Sequence, residues 1–410
     1  MRRVQELEVW QTACDGERRI VGRLAINSRG FIGFTPDSDF LKTGVRLSPF
    51  LIPQGTGPFL PRFDVEENRT FHGLFGLFAD SLPDTFGMAV ARASLAQAGF
   101  DAGPLELLFY IGNGGRGCLS YKPSLPGGDA EVEGLEAMFN EARTVAEGLE
   151  IDFSNPLAHA MGTAGGTRPK VHCERFPDGT FRVRRSLNKS IESVASIVKF
   201  DCTGEFSGRI DHETKIEASY LAMARACGLR VPEFELVARG GREHLVLKRF
   251  DRTAAGALHL HSFWGLAHAG IGSRTNDYEF LHRAVLRLTI DETEVAECFG
   301  RMAFNVFTRN QDDHSKQHAF LFDGNGWRLA PAFDLTFSPN PTQGHAMTVS
   351  GNAFPTTNDL IAFARKMDIR NGREILEKIH STMELAQGFL DQYHVPEGFR
   401  ARVLAGINRP

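Results

Sequence analysis

FNVFTRNQDDHSKQHAFLFDGNGWRLAPAFDLTF, residues 304–337, is the stretch on which the fold turns. Apolar segments that read as core are broken twice, by the polar knot NQDDHSKQ at 310–317 and by the lone carboxylate Asp334 in AFDLTF. Asp312, His314 and Lys316 alternate along the knot, so they share one register. A short loop carrying a carboxylate, an imidazole and an ammonium, followed by a returning strand that ends in Asp, suits phosphoryl transfer. One carboxylate can orient a hydroxyl nucleophile while the other holds Mg²⁺. Asp312 and Asp313 are adjacent, their side chains point apart, and only one can be the base; the shared register favours Asp312. A solvated turn would explain the polarity of the knot but not its place between MAFNVF and HAFLF. No His-Xaa₃-His pair or cysteine accompanies His314, which argues against zinc. Asp334 lies between Phe333 and Leu335, where a carboxylate is costly unless it is paired or bound to a cation. Mg²⁺ answers that cost; a turn-capping Asp is the plainer reading.

Working outward, MGTAGGTRPK at 161–170 offers Gly162, Gly165 and Gly166 for close backbone approach to a phosphate. Thr163 and Thr167 add hydroxyls, and Arg168 and Lys170 add positive charge. Glycine-rich turns are common, and the GKS/T ending of a P-loop is missing. Lys199 interrupts the apolar strand SIVKFD, the setting in which a kinase lysine holds phosphates. An outward, solvated lysine is the ordinary alternative. Glu217, near the start of the following helix, could pair with Lys199, or could serve a capping box with Thr214. The hairpin that follows ends in LVLKRFDR at 245–252, where polarity switches abruptly as at a hinge facing a nucleobase. Asp251 and Arg252 could equally be a surface pair.

The remaining sequence bounds the class. A 410-residue chain has room for two or three domains, and 42% hydrophobic with 23% charged residues is ordinary for a globular protein. A net charge of −4 argues against nonspecific nucleic-acid binding by the whole surface. Six scattered cysteines without a Cys-Xaa-Xaa-Cys pair predict reduced thiols. The start, MRRVQELEVWQTACDGERR, has charges where a signal peptide needs an apolar run, and no apolar stretch approaches the ~20 residues of a membrane span. A soluble, cytoplasmic protein without membrane contact is expected. Short β-like pieces fill residues 1–125, with a helical patch at 71–99 broken by Pro83. The Gly- and acid-rich 125–134 reads as a linker. Strand-like segments return over 160–250 around an amphipathic helix at 214–229, and the rest is mostly helical.

GTAGGTRPK, SIVKF, HETKIEASYLAMARACGLRVP, LKRFDR, NQDDHSKQHAF and LAPAFDL, in this order, resemble the HipA family of toxin–antitoxin kinases. GRLAINSRGFIGFTP and the LFADSLPDTFG segment resemble that family's N-terminal subdomain, so the likeness covers most of the chain. It implies an α+β, two-lobed protein-kinase-like fold with a β-rich N-lobe, a helical C-lobe and an extra β-rich N-terminal subdomain. The expected divisions are 1–125, 126–255 for the N-lobe with the Gly-rich loop, and 256–410 for the C-lobe. The implied activity is that of a serine/threonine kinase using ATP and Mg²⁺, which arrests growth by phosphorylating a protein, typically an aminoacyl-tRNA synthetase. The implied partners are a small helix-turn-helix antitoxin and, through it, operator DNA.

The resemblance also assigns roles. Asp312 becomes the catalytic aspartate, Asp334 the Mg²⁺ ligand and Lys199 the phosphate lysine, with Glu217 and Asp251 in support. Thr163, Ala164, Gly165, Gly166, Thr167, Arg168 and Lys170 form the Gly-rich nucleotide loop. Lys248, Arg249 and Phe250 form the adenine-facing hinge, and His314, Ser315, Lys316 and Gln317 a second nucleotide-contacting stretch. Thr163 stands where the family often carries an autophosphorylated serine. Gln317 replaces the usual asparagine, placing a second metal-directed amide one methylene further out. That departure motivates the competing expectation of a catalytically impaired subunit of a repressor complex; a small-molecule kinase is the other alternative.

Overall fold

The computed structural model describes residues 1–62, 64–126, 132–146, 156–164, 168–183, 193–204, 211–270 and 273–407. Two compact units emerge. The first comprises Met1–Phe200, Val237–His261 and Phe322–Asn325, and the second Asp201–Leu236, Ser262–Leu321 and Gly326–Pro410.

The first unit opens with β1 (Glu6–Thr12), β2 (Arg18–Ile26) and β3 (Ile32–Pro36), joined later by β4 (Leu119–Lys122) in an antiparallel sheet of order β3-β2-β1-β4. Leu7 and Val9 are fully buried while Glu6 and Glu8 point away from the core, the period of two that makes this a half-buried strand. Helices α1 (Ser38–Lys42), α2 (Val65–Phe71), α3 (Gly76–Ala79), α4 (Thr85–Gln97) and α5 (Pro104–Ile111) follow β3. Pro83 falls between α3 and α4, as its missing N–H demands. Sequence periodicity does not reveal α5: PLELLFYI is buried on every side, so it carries no amphipathic stripe. Its signal is Pro at the first helical turn.

A six-stranded sheet is built from β5 (Val132–Glu133), β6 (Lys170–Arg175), β7 (Phe181–Val183), β8 (Val194–Lys199), β9 (Phe234–Arg239) and β10 (Arg242–Lys248), in the order β5-β7-β6-β8-β10-β9. Helices α6 (Leu135–Ala146) and α7 (Pro156–Gly162) precede β6, and β11 (His259–Ser262) follows β10. The register is decisive. Lys170, Lys199 and Leu245 lie directly across from one another, and the next row on that face is His172, Ile197 and Leu247. The opposite face carries Val171, Val198 and Val246, all buried.

The second unit is helical, with α8 (Glu213–Ala226), α9 (Phe263–Ala267), α10 (Tyr278–Thr289), α11 (Glu292–Thr308), α12 (Thr357–Lys366), α13 (Gly372–Glu384), α14 (Ala386–Gln392) and α15 (Glu397–Ile407). The short strands β12 (Ala319–Phe322) and β13 (Trp327–Leu329) follow α11. Asp291 caps α11 by accepting from the Thr293 amide at 2.8 Å. From Cys298 to Thr308 every residue of α11 is buried, so this is the central helix, packed by α10 and α13. The Tyr220 hydroxyl of α8 donates to the Thr308 carbonyl at 2.7 Å, satisfying one of the last-turn acceptors. The helix stops at Arg309, whose φ of 55° is left-handed and turns the chain into the polar knot. Such a conformation costs an L-residue on the order of 1 kcal/mol, offset here by bonds from the Asn310 amide to the Asn305 carbonyl and from the Ser338 amide to the Arg309 carbonyl.

All six cysteines are free thiols. Among the described residues no helix is long and apolar enough to cross a membrane.

Candidate active site

The two adjacent aspartates of the knot have opposite fates. Asp312 is exposed, with 67% of its side chain accessible and Oδ1 3.8 Å from His314 Nε2. The Asp313 side chain is 0% accessible. It accepts from the Tyr278 hydroxyl at 2.7 Å and the Ala346 amide at 2.9 Å, and its Oδ2 meets His345 Nδ1 at 2.9 Å. A longer bond from the Met347 amide, 3.4 Å, completes the set. Asp313 is therefore an anchor and Asp312 the carboxylate left facing outward.

A continuous chain of hydrogen bonds fixes that arrangement. The Asp312 amide donates to Ser338 Oγ at 3.1 Å, and Ser338 Oγ donates to Asn310 Oδ1 at 3.0 Å. Asn310 Nδ2 donates to Asn305 Oδ1 at 2.9 Å, and Asn305 Nδ2 to the Tyr278 hydroxyl at 3.0 Å, which closes on Asp313. Every polar group in this ring is matched, so the network rigidifies the loop instead of straining it. Ser338 joins the loop of Asp312 to the segment that begins at Asp334.

That segment is pinned at its start. Glu294 accepts from both terminal nitrogens of Arg230, at 2.7 and 2.6 Å, and from the Leu329 amide at 2.8 Å. The Ala332 amide donates to the Arg230 carbonyl at 2.7 Å. Two residues later Asp334 adopts a left-handed φ of 53° and is half-buried. Asp334 and the half-buried Gln317 are hard oxygen donors, a carboxylate and an amide. Among the described residues no group of three or more His, Cys, Asp or Glu converges as a cage. This chemistry fits Mg²⁺, which takes one or two protein carboxylates and completes its shell with phosphate oxygens and water.

The rest of the second stretch divides. Lys316 places its ammonium 4.4 Å from the centroid of the Trp264 ring. Ser315 differs from expectation: it is fully buried and its hydroxyl donates to the Ala269 carbonyl at 2.5 Å, so only its backbone can face a ligand. Glu217 is buried within α8.

In the first unit the structure brings Lys170 and Lys199 together as a cross-strand pair. Directly opposed residues lie ~4.5–5.5 Å apart at Cβ, and like charges there are unfavourable. A phosphate interacts favourably with both ammonium groups. Neither lysine's sequence surroundings announce the pairing. Gly165, Gly166 and Thr167 lie outside the described residues. Gly162 does not serve phosphate approach: it ends α7, and a Cβ there would meet the Tyr110 hydroxyl oxygen at 2.1 Å. Thr163 is 4% exposed, its hydroxyl donating to the Ala160 carbonyl, and Ala164 is buried. Arg168 is half-buried and Lys170 buried.

At the proposed hinge, Lys248 is exposed and Phe250 half-buried, but Arg249 turns inward. Its Nε and terminal nitrogen meet Asp251 at 3.0 and 2.8 Å, and Arg252 meets the same carboxylate at 2.8 Å. Both arginines also donate to the Gly115 carbonyl, and Asp251 accepts from the Gly117 amide at 2.7 Å. Asp251 and Arg252 are thus no surface pair; they tie the end of β10 to the 115–117 turn. Burial alone would raise the Asp251 carboxyl, but Arg249 and Arg252 outweigh it and hold it far below the usual range. Asp251→Ala strands two buried guanidinium groups. We expect a loss of about 3–5 kcal/mol of stability, measurable by urea denaturation.

One constellation escapes sequence reading entirely. His261 Nδ1 meets Asp80 Oδ2 at 2.6 Å and its Nε2 meets Ser48 Oγ at 3.1 Å. The connectivity is that of a nucleophile, base and carboxylate, yet Ser48 is buried and lines a cavity of only about 60 Å³. It is a buttress between distant chain segments.

Residues 13–122 match the HipA N-terminal domain, and residues 162–387 match the HipA-like C-terminal domain. The putative kinase Y4mE of Sinorhizobium fredii (strain NBRC 101917 / NGR234) is 30% identical over 141 residues, covering 31% of this chain and 33% of that protein. The putative kinase Y4dM of the same strain is 33% identical over 135 residues, covering 29% and 32%. The matched part of the chain thus spans about a third of the length of either relative. Among solved structures, HipA of Shewanella oneidensis MR-1, in its complex with HipB and operator DNA, aligns over 98% of this chain and 97% of its own. The TM-score is 0.68 at 16% identity, a likeness of fold. The fold is accordingly α+β and protein-kinase-like, with the added β-rich N-terminal part that the sequence led us to expect. With the C-terminal domain match alone spanning more than half its length, the chain belongs to the HipA family.

Proposed function

We propose that this protein is an ATP- and Mg²⁺-dependent serine/threonine kinase that acts as the toxin of a toxin–antitoxin pair. The observation that carries the reading is the division of labour in the knot: Asp313 is spent on anchoring, and the anchored loop holds Asp312 outward as a carboxylate able to accept a hydroxyl proton. Lys170 and Lys199 hold phosphates, and Asp334 with Gln317 holds Mg²⁺, which supplies charge neutralisation at the transferring phosphate. Catalysis by these residues is positioning and charge stabilisation, not covalent chemistry. The partner is a small helix-turn-helix antitoxin through which operator DNA is bound, as HipA of S. oneidensis is found with HipB and operator DNA. The substrate is a protein, of the aminoacyl-tRNA synthetase class to which the resemblance points.

Incubation of a cell lysate with radiolabelled ATP should label protein when wild type is added and not when Asp312→Ala is added. Expression of the wild type alone should arrest growth. Absence of labelling and of nucleotide binding would sink the kinase reading and leave the impaired repressor subunit. Label appearing only in small molecules would favour the small-molecule kinase. Altered geometry at Gln317 predicts a shallower Mg²⁺ dependence than Gln317→Asn, read as phosphate transfer across a magnesium titration.

A further inference from the structure

His172 stands out on the six-stranded sheet. It is 9% exposed, and among the described residues it alone has both ring nitrogens buried without a hydrogen-bond partner. Buried polar groups left in this state are few in native proteins, and each calls for water or a ligand. The register says where the ring points. His172 lies two residues beyond Lys170 on the same face of β6, directly across β8 from Ile197, with Leu247 next in the row. Lys170 begins β6 and Lys199 ends β8, so the two lysines stand at the edge of this face. A ligand whose anionic end lies on the lysine row therefore extends along the face to the His172 row, about 7 Å away at two residues of strand rise.

That second row has the composition of a base-binding surface. Ile197 and Leu247 offer an apolar floor, and the imidazole offers polar atoms at its side. The ring is held neutral: burial, then the positive charge of Arg249, drives its pKa well below the ordinary value. A neutral imidazole presents one N–H donor and one bare acceptor in diverging directions, and a purine edge can meet either one of them.

Resting on the nucleotide-binding reading above, we propose that His172 recognises the nucleobase of the nucleotide whose phosphates lie at Lys170 and Lys199. Lys170 and Lys199 grip any polyphosphate, and His172 makes the grip selective for a purine nucleotide.

The full-length chain and its His172→Leu and His172→Gln variants would be titrated calorimetrically with ATP and with inorganic tripolyphosphate. His172→Leu should weaken ATP at least tenfold, leave tripolyphosphate binding unchanged, and keep or raise the melting temperature, because leucine removes an unsatisfied buried group. His172→Gln should recover part of the ATP affinity. In phosphate transfer the change should appear in KM for ATP and not in kcat. Unchanged ATP affinity in His172→Leu overturns the proposal, as does equal weakening of ATP and tripolyphosphate, which marks a structural residue. Wild type binding tripolyphosphate as tightly as ATP removes the base contact while sparing the lysine pair. Wild type binding neither removes the kinase reading and this inference with it.

Discussion

Asp312→Asn should leave the melting temperature unchanged and lower phosphoryl transfer by roughly 10²–10⁴-fold, the range for loss of a general base. Asp313→Ala should do something different: destabilise the second unit by about 3–5 kcal/mol. The contrast follows from their surroundings. Asparagine at 312 replaces an exposed side chain by an isostere, and such surface changes stay within about 0.5 kcal/mol. Alanine at 313 leaves the Tyr278 hydroxyl, the His345 ring and the Ala346 amide without their buried acceptor. Transfer assays and urea denaturation on both variants separate the two roles. Loss of activity with full stability in Asp313→Ala, and normal activity in Asp312→Asn, would reverse the assignment.

Acidification should unfold the protein well above the range in which carboxylates titrate. Burial drives His259 to about 3, with His261 nearby adding to it, and burial drives His282 and His318 to about 4. Each folded pKa lies below the unfolded value of ~6.5, so the unfolded chain takes up protons that the folded chain refuses. The stability these groups contribute is complete above ~6.5 and is lost as pH falls toward 3–4. At pH 5 the loss is roughly 2 kcal/mol per histidine, a large share of the 5–15 kcal/mol typical of a folded domain. His259 lies in the first unit and His282 and His318 in the second, so both should weaken. Below about pH 4 Asp251 adds a second loss, since its depressed carboxyl stabilises only above its unfolded value. Urea midpoints at pH 7, 6, 5 and 4 check this, and a flat profile between 7 and 5 would contradict it.

Much of the layout was legible because it rests on local chemistry. KVHCER, SIVKF and the FELVARGGREHLVLK hairpin alternate as strands do and form β6, β8, β9 and β10. The preference for Asp312 over Asp313 rested on the shared register and on the family motif; the structure adds that Asp313 is buried among hydrogen-bond donors while Asp312 is exposed. What stayed hidden depends on pairing between distant segments. Nothing in LKRFDR says that Asp251 will be clasped by two arginines under the 115–117 turn, since a charged run after a strand ordinarily faces water. Nor can Ser48, Asp80 and His261 be joined without knowing which chains pack. The Lys170–Lys199 pair and the orphaned ring of His172 both follow from strand register, which propensity does not set.

The hydroxyl of Ser338 couples the two halves of the site. It receives the Asp312 amide and donates to Asn310, and it sits four residues beyond Asp334. An excursion that carries 334–338 away takes the acceptor from the Asp312 amide in the same movement, while Asp313 stays held by Tyr278, His345 and Ala346. On the roles proposed above, displacement of the segment that carries Asp334 and loss of one backbone hold on Asp312 are then a single event.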